Sequence, residues 1–421
     1  MNQDPPLRTE ILAGVTTFFT VAYIVVVNPT ILAQAGMSFD GTLTATVVLT
    51  AAMTLFMGVY AKLPFAVAPG MGINAFFTFT LVLNQGIPWQ TALGMVFWSG
   101  VLFVAISATP LREKVAKAIP QNLRIAAAVG IGLFLTFIGL KAAHIIAADP
   151  VTFVRVGHFS ADTALAVFGL IMMLVLMQRS IPFAFLAGIL LVTLAALVTK
   201  QVAVPATFLK LPDFTSVAGK LDIMGALKPA LLPAIVSLFF TDLFDSISTF
   251  VGVSQATGLT DAHGEPKNLR QGLIVDAFAT LTAGLIGTSA GTAYVESAAG
   301  IEVGGRTGRT SVVTALCFLP CLFIAPLAGV VPACATAPVL MLVGAAMFRS
   351  ASRLSLEKLE DSVPAFLTVA FIPLTFSITQ GILWGFVSHV GLYVLAGRRR
   401  ELPFMLIIIA AVSAVLLVML T

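Results

Sequence analysis

Residues 63–80 read LPFAVAPGMGINAFFTFT, and residues 287–300 read GTSAGTAYVESAAG. Both lie in apolar surroundings. Both are broken at the front, by Pro64, Pro69, Gly70 and Gly72 in the first and by Gly287, Gly291 and Gly300 in the second. Proline removes a helix hydrogen bond, and glycine weakens a helix interior. Neither stretch therefore reads as one continuous helix of the ~20 residues that cross a bilayer. Irregular backbone at membrane depth is tolerated only where it is buried in protein or lines a cavity. Interruptions at matching places in two halves of a carrier are the best pointer from sequence to a site near the membrane midplane.

The rest of the chain supports a membrane setting. Of 421 residues, 58% are apolar and 10% are Asp, Glu, Lys or Arg, and the mean hydropathy is +1.03. Soluble chains are ~25% charged, so a cytosolic enzyme and a disordered chain are excluded. The net charge of +4 is spread along the chain and is no phosphate-binding footprint, so no nucleic-acid partner is expected. Cys317, Cys321 and Cys334 form no C-x-x-C and have no nearby histidine, which argues against a disulfide framework and a metal site. The apolar run from Ile11 to Leu32 is too long for a signal-peptide core and reads as the first span.

Apolar segments fall at about 11–34, 42–61, 64–83, 90–108, 121–142, 161–178 and 182–199. After a polar connector, 200–227, they resume at about 229–257, 268–286, 288–303, 308–325, 332–348, 363–378, 380–397 and 402–420. With the N-terminus inside, seventeen of the 23 basic residues fall in inner loops, among them Arg112, Lys114, Lys117, Arg124 and Arg398, as the positive-inside rule requires. One long helix over 363–397 would put Arg398, Arg399 and Arg400 outside, so two short passes are expected there. The segment 402–420 either spans or lies in the interface. Seven is odd, so two sets of seven are inverted with respect to each other, an arrangement of many secondary transporters.

Four acids fall inside apolar segments: Asp242, Asp245, Asp276 and Glu296. No Lys or Arg shares the central parts of those segments. A carboxylate at the bilayer centre costs ~2.5–3.5 kcal/mol on insertion scales, and without a basic partner it can bind and release a proton near neutral pH. All four are candidate proton carriers. Asp242 and Asp245 lie three apart on one helix face, where both are not ionised together. Asp242 is read as a substrate contact and Asp245 as its support. Asp276 can alternatively hold broken segments together by hydrogen bonds. Glu296 stands where the helical part of its segment begins, and Asn74 occupies the corresponding region of the first half. An amide pairs with a heterocycle edge through one acceptor and two donors. Phe76, Phe77, Phe239, Phe240 and Tyr294 could stack on such a ring or simply pack. Asn28, before Pro29, is expected to satisfy a helix break.

Two motifs mislead. GIEVGGRT, 300–307, has P-loop spacing but Arg306 replaces the lysine, and it follows a membrane half-helix. Gly381 and Gly385 form a G-x-x-x-G, read as close helix packing. His144, His158 and His263 fall in loops, and His389 is isolated, so no metal cluster is expected.

The stretches TTFFTVAYIVVVNPTIL at 16–32, APGMGINAFFTFT at 68–80, TDLFDSISTFVGV at 241–253 and GTSAGTAYVESAAGIEVGGRTGRT at 287–310 resemble those of AzgA-like purine permeases. These belong to the nucleobase–cation symporters, with the uracil and xanthine permeases. Further marks lie at 128–140 and 363–382, so the resemblance covers nearly the whole chain. Ser246 and Ser248 depart mildly from the Thr and Gly usual there. The resemblance implies an all-α, seven-plus-seven inverted repeat with short strands in segments 3 and 10. It implies a core domain of 1–110 and 228–326, and a gate domain of 111–227 and 327–421. It implies Asn74, Asp242 and Glu296 as substrate contacts, with Asp245 near the proton path. Adenine, guanine or hypoxanthine would enter with protons through an elevator displacement of core against gate, in a homodimer of the cell membrane with a cytoplasmic N-terminus. No cofactor is implied beyond the proton gradient. Rival readings are an anion carrier of the same fold and a channel for small polar solutes.

Overall fold

The computed structural model describes residues 5–109, 119–260 and 266–420. Arg112, Lys114, Lys117 and His263 lie outside the described residues. The first apolar run is two helices, α1 (Leu7–Val21) and α2 (Ile24–Gln34), divided by a turn at Ala22 and Tyr23. Ser38 caps α3 (Phe39–Phe56) by accepting from the Gly41 N–H at 3.2 Å. The broken stretch of the first half becomes a strand, β1 (Val67–Pro69), then a half-helix, α4 (Met71–Ala75), which widens into π-helical turns through Asn84. Two long helices follow, α5 (Trp89–Ala108) and α6 (Gln121–Ala142), each starting just after a proline. A hairpin, β2 (Ile146–Asp149) and β3 (Phe153–Val156), leads to α7 (Ala161–Gln178) and α8 (Ala184–Val198).

The second half repeats this order after the connector. It opens with α9 (Leu232–Thr257) and α10 (Leu269–Ile286), which end at Gly258 and Gly287, both at positive φ. Glycine is the residue that adopts this left-handed stop without strain. Then come β4 (Gly291–Ala293) and the half-helix α11 (Ser297–Glu302). They are followed by α12 (Gly308–Phe318), the short α13 (Ala325–Ala328) and α14 (Ala333–Phe348). Last are α15 (Leu359–Leu374), α16 (Ile378–Leu395) and α17 (Phe404–Leu420).

Among the described residues, nine helices are long and apolar enough to cross a membrane, and shorter apolar helices fill the remaining segments. The break expected within 363–397 is real. The chain turns at Phe376, with φ at +53°, and Ser377 caps α16. Gly381 and Gly385 let α16 lie against α15, because a Cβ on either would run into Thr368 or Ile372. The last helix turns back along α16: Leu416 and Leu417 near its end meet Leu383 near the start of α16, with Val236 of α9 beside them. It packs along α16.

The helices pack as two groups, each drawn from both halves of the chain. In one, α1 packs on α11 and α12, α3 on α2, α10 and α12, and α5 on α9 and α10. In the other, α6 packs on α14, α15 and α16, and α14 on α7 and α8. At the seam, α4 and α9 of the first group meet α6 of the second.

Candidate functional site

The strands β1 and β4 pair antiparallel, with Val67 opposite Ala293, Ala68 opposite Thr292 and Pro69 opposite Gly291. A two-stranded ribbon this short is not stable alone, so its surroundings hold it. Thr54 of α3 bonds both the N–H and the C=O of Val67, at 2.9 and 3.1 Å. The Ser297 hydroxyl accepts from the Ala66 N–H at 3.0 Å. Tyr294 donates its hydroxyl to the Pro69 carbonyl at 2.5 Å. Asn28 does not serve a helix break, since α2 runs on through Pro29. Its amide donates to Thr46 at 2.7 Å and to Thr288 at 2.8 Å, fastening the approach to β4.

Around this ribbon the structure gathers the sequence candidates. Asp242 is fully buried, and its Oδ2 lies 2.5 Å from the Thr280 hydroxyl, which also lies 3.1 Å from the Gly291 carbonyl. Asp276 is fully buried beside Thr292, whose hydroxyl is 3.5 Å from its Oδ2 and 3.3 Å from the Ser246 hydroxyl. Glu296, at the start of α11, accepts from the Tyr23 hydroxyl at 2.8 Å. Asp245, one turn along α9 from Asp242, is half-buried and lines a small cavity at the seam. Asn74 of α4 is fully buried, and neither its oxygen nor its nitrogen has a partner. Asp242 Oδ1, Asp276 Oδ1, Thr78 Oγ1 and Thr241 Oγ1 are likewise buried and unpartnered. Buried polar groups are nearly always paired, so unpaired donors and acceptors gathered here suit a small ligand with mixed hydrogen-bonding edges.

The aromatic candidates divide. Phe240 packs among Phe239, Phe244 and Phe386, with ring centroids 5.2–5.8 Å apart, and joins α9 to α16 across the seam. Tyr294 spends its hydroxyl on β1. Phe76 and Phe77 are fully buried. His389 is buried with Nδ1 4.0 Å from Asp361 and its ring 4.6 Å from Tyr393. The three cysteines are free thiols, and the described residues hold no group of three or more metal-ligating side chains. The GIEVGGRT stretch runs from the end of α11 into a turn at the start of α12, so a helix and not a strand leads directly into it.

Sequence reasoning missed three contributors. Tyr23 reads as one more ring in an apolar run. Thr280 carries no signal of its own. Glu10 was grouped with a polar leader, yet it is fully buried. Its Oε1 accepts from the N–H groups of Arg306 and Thr307, and its Oε2 from that of Thr310, each at 3.1 Å, and the Thr310 hydroxyl adds a fourth bond. It caps α12 from across the bundle.

The sequence profile described as "Permease family" matches residues 8–383. The adenine permease AdeP of Escherichia coli is 40% identical over 96% of this chain and 91% of its own length. The guanine/hypoxanthine permease PbuO of Bacillus subtilis is 38% identical over 97% of this chain and 96% of its own. The transmembrane domain of the cyanobacterial bicarbonate transporter BicA superposes with a TM-score of 0.68, covering 90% of this chain and 97% of that one, at 16% identity. That likeness concerns the fold: a multi-pass, seven-plus-seven inverted repeat with core and gate.

Proposed function

Because the chain belongs to the Permease family, we propose that it carries purine nucleobases across the membrane together with protons. The observation that carries this reading is the set of unpaired, buried hydrogen-bonding atoms of Asn74, Asp242 and Asp276 beside the β1–β4 ribbon. A planar base with donors and acceptors on its edge matches an amide and carboxyls better than a bare anion does. An anion carrier of this fold is expected to use a basic group or helix-end N–H groups alone in place of Asp242 and Glu296, and the acids argue against it. The names of the relatives, adenine permease and guanine/hypoxanthine permease, support the substrate class.

Proton coupling is supported by a hydrogen-bond count. Thr280 has one hydroxyl proton but faces two acceptors, Asp242 Oδ2 and the Gly291 carbonyl. Both contacts are satisfied when Asp242 itself holds a proton and donates it to Thr280, which then donates to Gly291. Asp242, Asp245, Asp276 and Glu296 form the proton path in this reading, and Asn74, Asp242 and Glu296 touch the base. Phe240 and Tyr294 wall the site. The carrier alternates access by an elevator movement of the core, 1–110 with 228–326, against the gate, 111–227 with 327–421. It works as a homodimer in the cell membrane with its N-terminus cytoplasmic.

The test is uptake of radiolabelled purine in cells that lack their own purine carriers. Saturable uptake that collapses with a protonophore at constant ATP is expected, and a panel of unlabelled bases ranks adenine against guanine and hypoxanthine. Uptake indifferent to the protonophore would remove proton coupling. Failure of every purine to be taken up or to compete would remove the substrate class.

A further inference from the structure

Arg124 sits in the first turn of α6, on the gate side of the seam. It is half-buried, its Nε is buried without a hydrogen-bond partner, and it enters none of the ion pairs among the described residues. A buried donor left unpaired is costly. It lines a cavity of about 30 Å³ with Ile131 of α6, Thr241, Asp245 and Ser248 of α9, and Met347 of α14. That space holds a water or two and no heterocycle. Asp245 is the carboxyl group among the lining residues. Asp245 interacts with acids of the core: Glu296, Asp276 and Asp242. Arg124 is the basic side chain that the gate sets against this acidic cluster.

We propose that Arg124 is the counter-charge of the empty carrier. After substrate has left and the carboxyl has passed its proton to water, the core must return with an unpaired carboxylate. Moving that charge along an apolar seam is unfavourable. Arg124 lines the same cavity as Asp245, and in this proposal its positive charge offsets that cost. While the proton is bound, Arg124 has no anion to hold, and the loaded core moves free of it. Arg124 is thus a positioning residue for the return step and does not touch substrate. The inference rests on the proton-coupled reading above.

The test uses full-length protein in proteoliposomes, with a radiolabelled purine that the wild type accumulates under an imposed pH gradient. Arg124→Gln is expected to lower gradient-driven net uptake at least ~10-fold while counterflow against preloaded purine, in which the carrier returns loaded and protonated, stays within about threefold. Arg124→Lys keeps the charge and is expected to hold both modes within about threefold. It keeps the test standing if the glutamine variant fails to fold. Equal losses in both modes, no loss in either, or a lysine variant without net uptake would each overturn the proposal. Wild-type uptake judges the substrate reading, and the split between the two modes judges Arg124.

Discussion

Two glutamates, Glu10 fully buried and Glu296 half-buried, stand close to the N-terminal ends of helices, and they could hardly differ more. Glu10 receives three backbone N–H bonds and a hydroxyl bond around the start of α12. Glu296 receives one side-chain bond, from Tyr23, and its neighbours Asp242 and Asp276 each keep a bare oxygen. The same side chain is a structural clamp where the protein fills its hydrogen-bonding capacity, and a candidate working group where the protein does not. Burial alone does not decide the role, since Asp242 and Glu10 are equally buried. The count of partners does.

The sharpest way to break this comparison is to neutralise each kind of acid. Glu296→Gln and Asp242→Asn are expected to lower gradient-driven uptake at least ~100-fold, equivalent to about 2.7 kcal/mol. Both variants should stay monodisperse in detergent, because an amide still reaches Tyr23 or Thr280. Transport at wild-type rate in both would end the claim that under-satisfied acids mark the site. Glu10→Ala should do the reverse. It strands donors at the start of α12 and is expected to cost about 3 kcal/mol of stability, read as a lower melting temperature. The fraction that remains folded should still bind purine. A Glu10→Ala protein that melts like wild type but cannot transport would invert the argument.

How much of this contrast could be read from the chain alone follows from range of action. Pro69, Gly70 and Gly287 act on their own backbone, so the broken segments and their matching positions were legible, while the strands were expected only through the family resemblance. The split at Phe376 was legible through the charge of Arg398–Arg400, which restricts topology. The pairing of Val67 with Ala293 brings together residues far apart in sequence, and no local pattern reports it. Tyr23 was invisible for the same reason: its value lies in reaching Glu296. Arg124 was legible as a topological charge, and the seam it faces was not. The direction of α17 was open because 402–420 is apolar nearly throughout, while Leu416 and Leu417 find Leu383 only in the folded chain.

A smaller effect is expected from Asn74, the neutral counterpart of the acids in the first half. Its amide has no partner within the protein, so the protein loses little stability without it. Asn74→Ala should raise the KM for purine about tenfold, near 1.4 kcal/mol. The accumulation ratio at saturating purine should not change, because the acids of the second half are intact. A loss of accumulation with unchanged KM would move the amide from recognition into coupling.

The smallest effect belongs to a satisfied acid outside the membrane segments. Asp213 in the connector accepts from Ser216 at 3.1 Å and from the Thr215 N–H and hydroxyl at 3.0 and 3.1 Å, while its own N–H donates to Thr44 of α3 at 3.0 Å. Donors on Ser216 and Thr215 hold its carboxylate down to about 2. A carboxyl group depressed by folding stabilises the fold above its ordinary range near ~4, and that stabilisation fades as pH falls towards the depressed value. Asp213→Asn should therefore melt about 1–2 °C below wild type at neutral pH. The gap should persist down to about pH 5 and close between about pH 4 and about 2. Solvent around the connector screens the charge and keeps the effect small. Purine uptake at neutral pH should be unaltered. Thus Asp213 would repeat, on the surface, what Glu10 does inside, and a change in transport without a change in melting would separate the two.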